Sequence, residues 1–327
     1  MHETNPLSSL FPQQPSSASP ATALALLDHE RILSVSGVDA TRFLQGQLTC
    51  DVATLAPGAS TLGARCTPKG RMQSSFRLLK LTEEHYLLAM AAGLLEAQQT
   101  DLAKYAVFFK VELSDASEQW CRLGLWGEQV QQALSAASLS EQLSESGVAI
   151  AIQDAPMELW LPASVASDSI AALSQHAQPV SRHAWLLQQI RAGIGQVQPE
   201  TRDSFIPQML NLDLLGGVSF SKGCYTGQEI VARMHYLGKL KRRMYHLIWR
   251  GTGVPEPGTA IVDGATGKTV GDIVIAVQAD DQVELLAVLQ TDAAQLSTLG
   301  ITNSIEPSLQ LGSLPYEHQF ATDVDTK

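Results

Sequence analysis

The chain has 327 residues, of which 45% are hydrophobic and 17% are charged, and its formal net charge is −11. This composition is typical of a globular protein with a sizeable core, and the length predicts two or three domains. The longest apolar run, residues 86–95, is shorter than the roughly 20 residues that cross a bilayer, and the N-terminus lacks the pattern of a secretory signal. We therefore expect a cytoplasmic protein without a membrane span.

The first twenty residues are rich in Pro, Ser and Gln, which predicts a disordered tail. After this tail, strand-like and helix-like hydrophobic patterns alternate. Strands are predicted at residues 31–37, 61–67, 72–81, 85–90, 109–113, 121–127, 147–152 and 157–162. Helices are predicted at residues 38–52, 93–108, 128–137, 164–176 and 181–196, the last ended by glycines 193 and 195, with a further helix beginning near Thr226.

The pattern changes near residue 240, where short strands separated by glycine or aspartate turns begin. Such a series is typical of a small β-barrel or sandwich. The fold class is therefore α+β. We expect a disordered tail over residues 1–20, an α+β region of two interleaved subdomains over 21–240, and a C-terminal β-barrel domain over 241–327.

The four cysteines lie far apart and form no CxxC pair. Their spacing argues against a zinc ribbon, a disulfide framework or a metal site built by this chain alone. Cys50, Cys66 and Cys121 lie in apolar surroundings and are predicted to be small core residues. Cys224 differs, because it stands between glycines in the string KGCYTGQEIVAR, residues 222–233.

Two interpretations of this string remain open. A thiol just before a helix N-terminus, beside Lys222 and near Arg233, is expected to have a lowered pKa and to be a nucleophile. Alternatively, the glycines only shape a turn, Thr226 and Glu229 form a capping box, and Cys224 is inert. Neither interpretation excludes the capping box.

The charge distribution is uneven. Residues 222–250 contain seven lysines and arginines and one acid, although the whole chain is acidic. Such a basic segment can mark a site for an anionic ligand or for RNA. It is equally explained by solvated charges at the start of a strand.

KGCYTGQEIVAR, together with residues 205–221 before it, resembles the YgfZ-type folate-binding proteins, which are relatives of the glycine-cleavage T-protein, an aminomethyltransferase. Supporting similarities run along nearly the whole chain after the first twenty residues, at residues 37–52, 66–72, 104–111, 183–194 and 314–317. The resemblance implies a cloverleaf of three small domains, two α+β and one β-barrel, around a channel that binds tetrahydrofolate.

The resemblance also implies roles for individual residues. Cys224 would be the working thiol, and Lys222, Gly223, Tyr225, Gly227, Gln228, Glu229 and Arg233 would shape its loop. Trp185 matches a tryptophan that contacts folate, although a core position explains it as well, and Arg191 and Asn211 are the other candidate folate contacts.

The chain departs from the T-protein pattern at three positions. Ser74 and Ser75 replace an acidic pair that assists one-carbon transfer, Arg191 replaces a glutamate that reads the pterin, and Glu30 replaces a tryptophan found in some YgfZ proteins. The leading hypothesis is therefore a folate-binding accessory factor for iron–sulfur enzymes, such as the radical enzymes that modify tRNA. The alternatives are a folate-dependent aminomethyl transferase acting on a small amine, a direct RNA-binding module using residues 239–250, which the acidic remainder disfavours, and a binding scaffold.

Overall fold

The computed structural model describes residues 6–14, 20–152, 155–238, 240–302, 304 and 308–317. The chain forms two compact units. The first unit contains Met1–Thr41, Thr54–Ser60 and Leu78–Gln188, and the second contains Arg42–Ala53, Thr61–Arg77 and Gln189–Lys327.

Helices and strands alternate along the chain. The strands are β1 (Thr22–Leu26), β2 (Glu30–Ser36), β3 (Ser60–Cys66), β4 (Met72–Thr82), β5 (His85–Ala91), β6 (Glu112–Asp115), β7 (Trp120–Gly127), β8 (Val148–Ile152), β9 (Ala155–Pro162), β10 (Gln178–Val180), β11 (Arg242–Trp249), β12 (Ala260–Asp263), β13 (Thr269–Ala279), β14 (Gln282–Gln290), β15 (Leu299–Ile301) and β16 (Gln310–Leu311). The α-helices are α1 (Ala40–Gln45), α2 (Leu95–Ala106), α3 (Val130–Ala136), α4 (Ala163–Leu173), α5 (Arg182–Arg191) and α6 (Gln228–Tyr236).

One five-stranded sheet, with the order β10-β1-β7-β9-β8, lies in the first unit. Because side chains alternate between the faces of a strand, Leu123 and Leu125 of β7 point to the same face, where they join the core under α3 and α4. The opposite face carries Gly124 and Trp126, and Trp185 of α5 packs there. This sheet therefore positions the tryptophan that the sequence singles out.

A second sheet has the order β3-β4-β5-β2-β6, and the division between the two units falls within β3 and β4. In the first unit, β2 pairs with both β5 and β6 in antiparallel register, and α2 packs on β2 and β6. A core that includes Ile32, Leu87 and Trp160 joins residues of this sheet to the first one. The strands predicted at residues 61–67 and 72–81 are confirmed as β3 and β4, which are joined by a turn at residues 68–71.

The third sheet, with the order β15-β12-β13-β14-β11-β16, is antiparallel and belongs to the second unit. Its buried face consists mainly of Leu, Ile, Val and Ala side chains. The mixed α+β architecture and this C-terminal β region confirm the predicted fold class.

The structure differs from several expectations. Within the tail predicted to be disordered, Pro6–Leu10 form a 3-10 helix and Phe11 is only 6% exposed, packed in the core of the first unit. Residues 1–5 and 15–19 lie outside the described part. The C-terminal sheet begins at Arg242, close to the predicted boundary at 240, but its compact unit also includes residues 42–53, 61–77 and 189–241.

The helix predicted over residues 38–52 is shorter in the structure, because only α1 is helical and the chain turns at Gly46. The residues after this turn are not helical and contact other segments of the chain. Leu48 makes an isolated bridge with Arg65, and the Thr49 hydroxyl donates to the backbone oxygen of Gly217 at 2.7 Å. In the described residues, no helix combines the length and the hydropathy needed to cross a membrane.

Candidate functional site

Residues 222–227, here called the motif loop, are held in the second unit by a buried lysine. Lys222 is 8% exposed, and its Nζ donates to the backbone oxygens of Leu48 at 2.9 Å and of Cys50 at 2.7 Å. Burial lowers the pKa of Lys222 to about 8, against the opposing influence of Cys50 and Asp51. The lysine therefore ties the loop to residues 48–50.

Tyr225 is the second anchor of the motif loop. Its side chain is buried, its ring centroid lies 5.1 Å from Lys222 Nζ, and burial raises the pKa of its phenol. The Tyr225 hydroxyl has no hydrogen-bond partner among the described residues. A buried ring with a nearby ammonium favours one fixed conformation of the loop.

Gly227 ends the motif loop and caps α6 in the left-handed region, with φ +87°. A Cβ atom there would lie 2.5 Å from the backbone oxygen of Thr67 and 3.0 Å from Cys66 Cβ. The predicted capping box of Thr226 and Glu229 is wrong, because Gly227 occupies the N-cap position and no side chain caps the helix. The close backbone approach at Gly227 moves the helix start to Gln228.

Cys224 differs from the other cysteines in exposure. All four cysteines lie in the described residues, and Cys224 alone is exposed. Burial raises the pKa of Cys50, Cys66 and Cys121 to about 12 in each case. The exposed thiol is therefore the one available to a reagent or a partner.

The surroundings of Cys224 are arranged differently from the prediction. The Lys222 ammonium is directed to two backbone oxygens, and α6 begins four residues after the thiol. Arg233 and Glu229 of α6 are exposed, and so is Gly223 of the motif loop. Gln228, the first residue of α6, is half-buried.

Ser74 and Ser75, which replace the acidic pair of T-proteins, are buried. The Ser75 hydroxyl accepts a hydrogen bond from the backbone N–H of Val197 at 2.8 Å. A serine hydroxyl is not an acid at neutral pH, so this position supplies no carboxylate for one-carbon transfer.

Trp185 lies in the first unit and is only 3% exposed. A Cβ atom at Gly124 would come within 2.1 Å of its ring, so the indole lies flat on the strand where only glycine leaves room. Its neighbour Trp126 has its ring centroid 6.2 Å away and is half-buried, so Trp126 presents the more accessible indole. Trp126 was not predicted as a site residue from the sequence, although its spacing of two from Gly124 places both on one face of β7.

Glu30 has a structural role in the first unit. It forms an ion pair with the buried guanidinium of Arg122, which also pairs with Glu158 and stacks over the ring of Trp160 at 4.4 Å. Glu30 therefore balances a buried charge at the position where some relatives carry tryptophan.

Asn211, in the second unit, is fully buried and its amide is engaged. Nδ2 donates to the backbone oxygen of Met244 at 2.9 Å and to the hydroxyl of Tyr316 at 3.3 Å, while Oδ1 accepts from Arg243 at 3.2 Å. The Tyr316 hydroxyl in turn donates to the backbone oxygen of Gly193 at 2.6 Å. Both N–H groups of Asn211 are therefore used within the protein.

Arg191, also in the second unit, belongs to a chain of charged side chains. Its Nε and Nη2 donate to the carboxylate of Glu284 at distances from 2.6 to 3.2 Å, and His246 Nε2 lies 3.1 Å from the same carboxylate. Burial acts to raise the pKa of Glu284, but the hydrogen bonds from His246 and Arg191 outweigh it and lower that pKa to about 2. This triad was not foreseen from the sequence.

Three arginines of the basic segment form ion pairs with aspartates. Arg242 pairs with an aspartate at 2.7 Å, and Arg243 and Arg250 each pair with one at 3.4 Å. Lys239 lies outside the described residues. Arg242, Arg243 and Arg250 thus have partners within the protein, whereas Arg233 and Lys241 are exposed, so the pairing reduces but does not remove the charge on which the RNA-binding hypothesis depends.

Comparison with known proteins agrees with the fold. Residues 21–151 match the family described as GCVT N-terminal domain. The crystal structure of the glycine cleavage system aminomethyltransferase T from Bartonella henselae is similar, with a TM-score of 0.72 and 19% identity over 92% of this chain and 87% of that chain. At this identity, the likeness concerns the fold.

The sequence is also similar to relatives of the same length. The tRNA-modifying protein YgfZ of Klebsiella pneumoniae (strain 342) is 34% identical over 325 residues, 95% of this chain and 98% of the relative. The tRNA-modifying protein YgfZ of Enterobacter sp. (strain 638) is 33% identical over 319 residues, 93% of this chain and 97% of the relative. With the T-protein fold and the exposed cysteine of KGCYTGQE, these similarities show that the chain belongs to the YgfZ family of tRNA-modifying proteins.

Proposed function

We propose that this protein is a folate-binding accessory factor that supports tRNA modification through iron–sulfur enzymes, with Cys224 as its working thiol. The observation that carries the proposal is the exposure of Cys224 on a loop whose neighbouring residues are anchored. Buried Lys222 and Tyr225 on either side of it, and the tight contact at Gly227, hold the loop while the thiol faces solvent.

Action through another enzyme fits the charge distribution. Arg242, Arg243 and Arg250 pair with aspartates, which reduces the charge that the basic segment offers to phosphate groups. An exposed thiol, by contrast, can exchange with a thiol, disulfide or persulfide of a partner protein. The proposal places this work in the cytoplasm, where tRNA and its modifying enzymes are found.

The folate part of the proposal is supported by the GCVT domain and by the apolar face around Trp126 and Trp185. A flat indole surface suits a pterin ring, and the partly accessible Trp126 is the better candidate for direct contact. A one-carbon derivative of tetrahydrofolate would supply a one-carbon unit, or tetrahydrofolate itself would serve as a regulatory ligand. Because Ser74 and Ser75 offer no carboxylate, we do not propose aminomethyl transfer.

The thiol hypothesis is tested by the methylthiolated nucleoside content of tRNA in a bacterial strain that lacks its own YgfZ gene. Wild-type protein should restore this content, and Cys224→Ala should not. Cys121→Ala is the matched control, because Cys121 is buried in the core of the first unit, and it should restore methylthiolation at equal protein levels. Full restoration by Cys224→Ala would refute the thiol role.

The folate hypothesis is tested by calorimetric titration with tetrahydrofolate. Trp126→Ala should weaken binding at least about fivefold if its indole contacts the pterin, since stacking contributes about 1–3 kcal/mol and about 1.4 kcal/mol corresponds to tenfold. Trp120→Ala is the control, because Trp120 is a half-buried tryptophan of the same strand that packs in a different core. Equal affinity of the wild type and Trp126→Ala would exclude the contact.

A further inference from the structure

Four side chains at the end of α6 form an aromatic and apolar surface, here called the α6 patch: Phe220, His235, Tyr236 and Leu237. The ring of Phe220 stacks on that of His235, with centroids 3.7 Å apart and an interplanar angle of 13°. The Tyr236 ring meets both rings edge-on, with centroid distances of 6.2 Å to Phe220 and 4.8 Å to His235. The three rings therefore hold one another in place at the last turn of the helix.

The α6 patch is open to solvent. Among the large hydrophobic side chains in the described ranges, Leu237 has the highest exposure, 82%, and Tyr236 is 56% exposed. The residue after Leu237 packs on the helix, because a Cβ atom added at Gly238 would lie 2.9 Å from the Cα of Met234. A single exposed leucine is common, but a leucine beside interlocked rings has the composition of an interface, where aromatic side chains are enriched.

The α6 patch also lies close to the exposed thiol. Phe220 is four residues before Cys224, so their Cα atoms are at most about 14 Å apart. Both residues and α6 belong to the second unit, and the buried ammonium of Lys222 anchors the chain between them. A protein that covered the patch would therefore bring its own residues to the thiol, and the anchored loop would lose little conformational entropy on binding.

The charges around the α6 patch favour an acidic partner. Residues 230–241 contain three lysines or arginines and no aspartate or glutamate. Arg233, one helical turn before Leu237, is exposed, and so is Lys241. Complementary charge accelerates association and disfavours partners of the wrong sign.

The side chains of the α6 patch favour a protein over RNA as the occupant. Bases of single-stranded RNA bind by stacking on aromatic faces. One face of the Phe220 ring is already covered by His235, and the most exposed member of the patch, Leu237, has no ring. A leucine beside a tyrosine fits the apolar side chains of a protein segment, and the nearby thiol exchanges with the sulfur that such a segment carries in a cysteine.

We propose that the α6 patch docks a partner protein through an acidic segment with apolar side chains, and that this segment carries the cysteine that reacts with Cys224. The inference rests on the thiol part of the proposed function and adds the surface by which a partner is selected. With a partner disulfide, the Cys224 thiolate forms a bond to one sulfur as the partner's S–S bond breaks. The other sulfur leaves as a thiolate, and the Cys224 proton passes to water.

The test measures thiol–disulfide exchange of the full-length protein with three probes. Two are short synthetic peptides of equal length, each with one cysteine linked by a disulfide to 2-thiopyridine. The acidic peptide contains Leu, Phe and Glu, and the basic peptide has Lys in place of each Glu. The third probe, 2,2′-dipyridyl disulfide, is small and uncharged, so its rate reports the reactivity of the thiol itself. Release of thiopyridone is followed by absorbance, and each peptide rate is divided by the dipyridyl disulfide rate.

The relative rate of the acidic peptide should exceed that of the basic peptide at least about fivefold for the wild type. Leu237→Ala should lower the relative rate of the acidic peptide at least about fivefold, because it removes most of the exposed apolar side chain. Arg233→Gln should reduce the preference for the acidic peptide. Cys224→Ala gives the background from the buried thiols.

The matched control is Leu311→Ala. Leu311 is a leucine of the same unit, is 50% exposed, and lies on another element, the edge strand β16. This variant should give the relative rates of the wild type. A relative rate lowered equally by Leu311→Ala and Leu237→Ala would argue against a defined docking surface at the end of α6.

The outcomes separate this inference from the proposed function. Equal relative rates of the two peptides, or of wild type and Leu237→Ala, would overturn the inference and leave the thiol role intact. Full restoration of tRNA methylthiolation by Cys224→Ala would refute the thiol role and, with it, the basis of the inference. Binding of a labelled single-stranded RNA that Tyr236→Ala abolishes, together with equal peptide rates, would assign the α6 patch to RNA instead.

Discussion

Replacing Gly227 with alanine should destabilise the motif loop more than any comparable substitution nearby. Gly227 has φ +87°, and an added Cβ would lie 2.5 Å from the backbone oxygen of Thr67. Because this neighbour is backbone, no side-chain rotation relieves the clash. The start of α6 and the turn at residues 67–70 would have to move apart.

Two other glycines separate the contributions to this effect. Gly216 has φ +73° but an added Cβ would meet nothing within 4 Å, and Gly223 has neither a positive φ nor a neighbour within that distance. Gly223→Ala should therefore change the free energy of unfolding by less than about 0.5 kcal/mol. Gly216→Ala should cost about 1–2 kcal/mol for the left-handed conformation alone.

Gly227→Ala adds a steric cost to the conformational one. Overpacking typically costs about 1–3 kcal/mol, so the total loss should be about 2–5 kcal/mol. Urea unfolding followed by circular dichroism measures all three variants against the wild type. A loss for Gly227→Ala no larger than that for Gly216→Ala would refute the close contact with residues 66–67.

Three further predictions concern the packing of other regions. The Glu284 pKa of about 2 lies below its ordinary 4.5, so its charge stabilises the fold fully above about pH 4.5, and this contribution is lost as the pH falls towards 2. The difference in unfolding free energy between wild type and Glu284→Gln, measured by urea unfolding, should therefore shrink between pH 5 and about pH 3. A constant difference would contradict the ion pair. Tyr316→Phe should lower the free energy of unfolding by about 1–3 kcal/mol, because it leaves a buried oxygen of Gly193 unpaired. The control Tyr236→Phe, at an exposed tyrosine, should lower it by less than about 0.5 kcal/mol. Equal effects in the same assay would argue against that hydrogen bond. Gly124→Ala should cost about 1–3 kcal/mol and shift tryptophan fluorescence, since the methyl group displaces the indole of Trp185; an unchanged spectrum and stability would place that ring elsewhere.

Most strands of the fold follow from hydrophobic alternation in the sequence. β1 (residues 22–26) escaped prediction, because its Ala and Leu residues have no strong strand propensity, and its pairing with β7 and β10 is a tertiary effect. The 3-10 helix at Pro6–Leu10 was also missed, because the polar composition of this segment predicts disorder. The packing of Phe11 in the core of the first unit is a tertiary contact that composition does not reveal.

The candidate site was predictable in part. The glycine-rich string distinguished Cys224 from the three cysteines predicted to be in the core, and Cys224 is exposed whereas those three are buried. The direction of Lys222 was not predictable, because its two acceptors lie more than 170 positions earlier in the chain. The Arg191 triad likewise depends on β11 and β14, whose register brings His246 opposite Leu286 and near Glu284.

The most direct test of the account measures the accessibility of the four thiols in one sample. Native protein is treated with a limiting amount of isotopically light iodoacetamide, then unfolded and treated with the heavy form, and each cysteine peptide is quantified by mass spectrometry. The account predicts light label on Cys224 and heavy label on Cys50, Cys66 and Cys121, because only Cys224 is exposed. Light label on Cys50 or Cys66 at a level comparable to Cys224 would contradict the anchored motif loop and the role that we assign to its thiol.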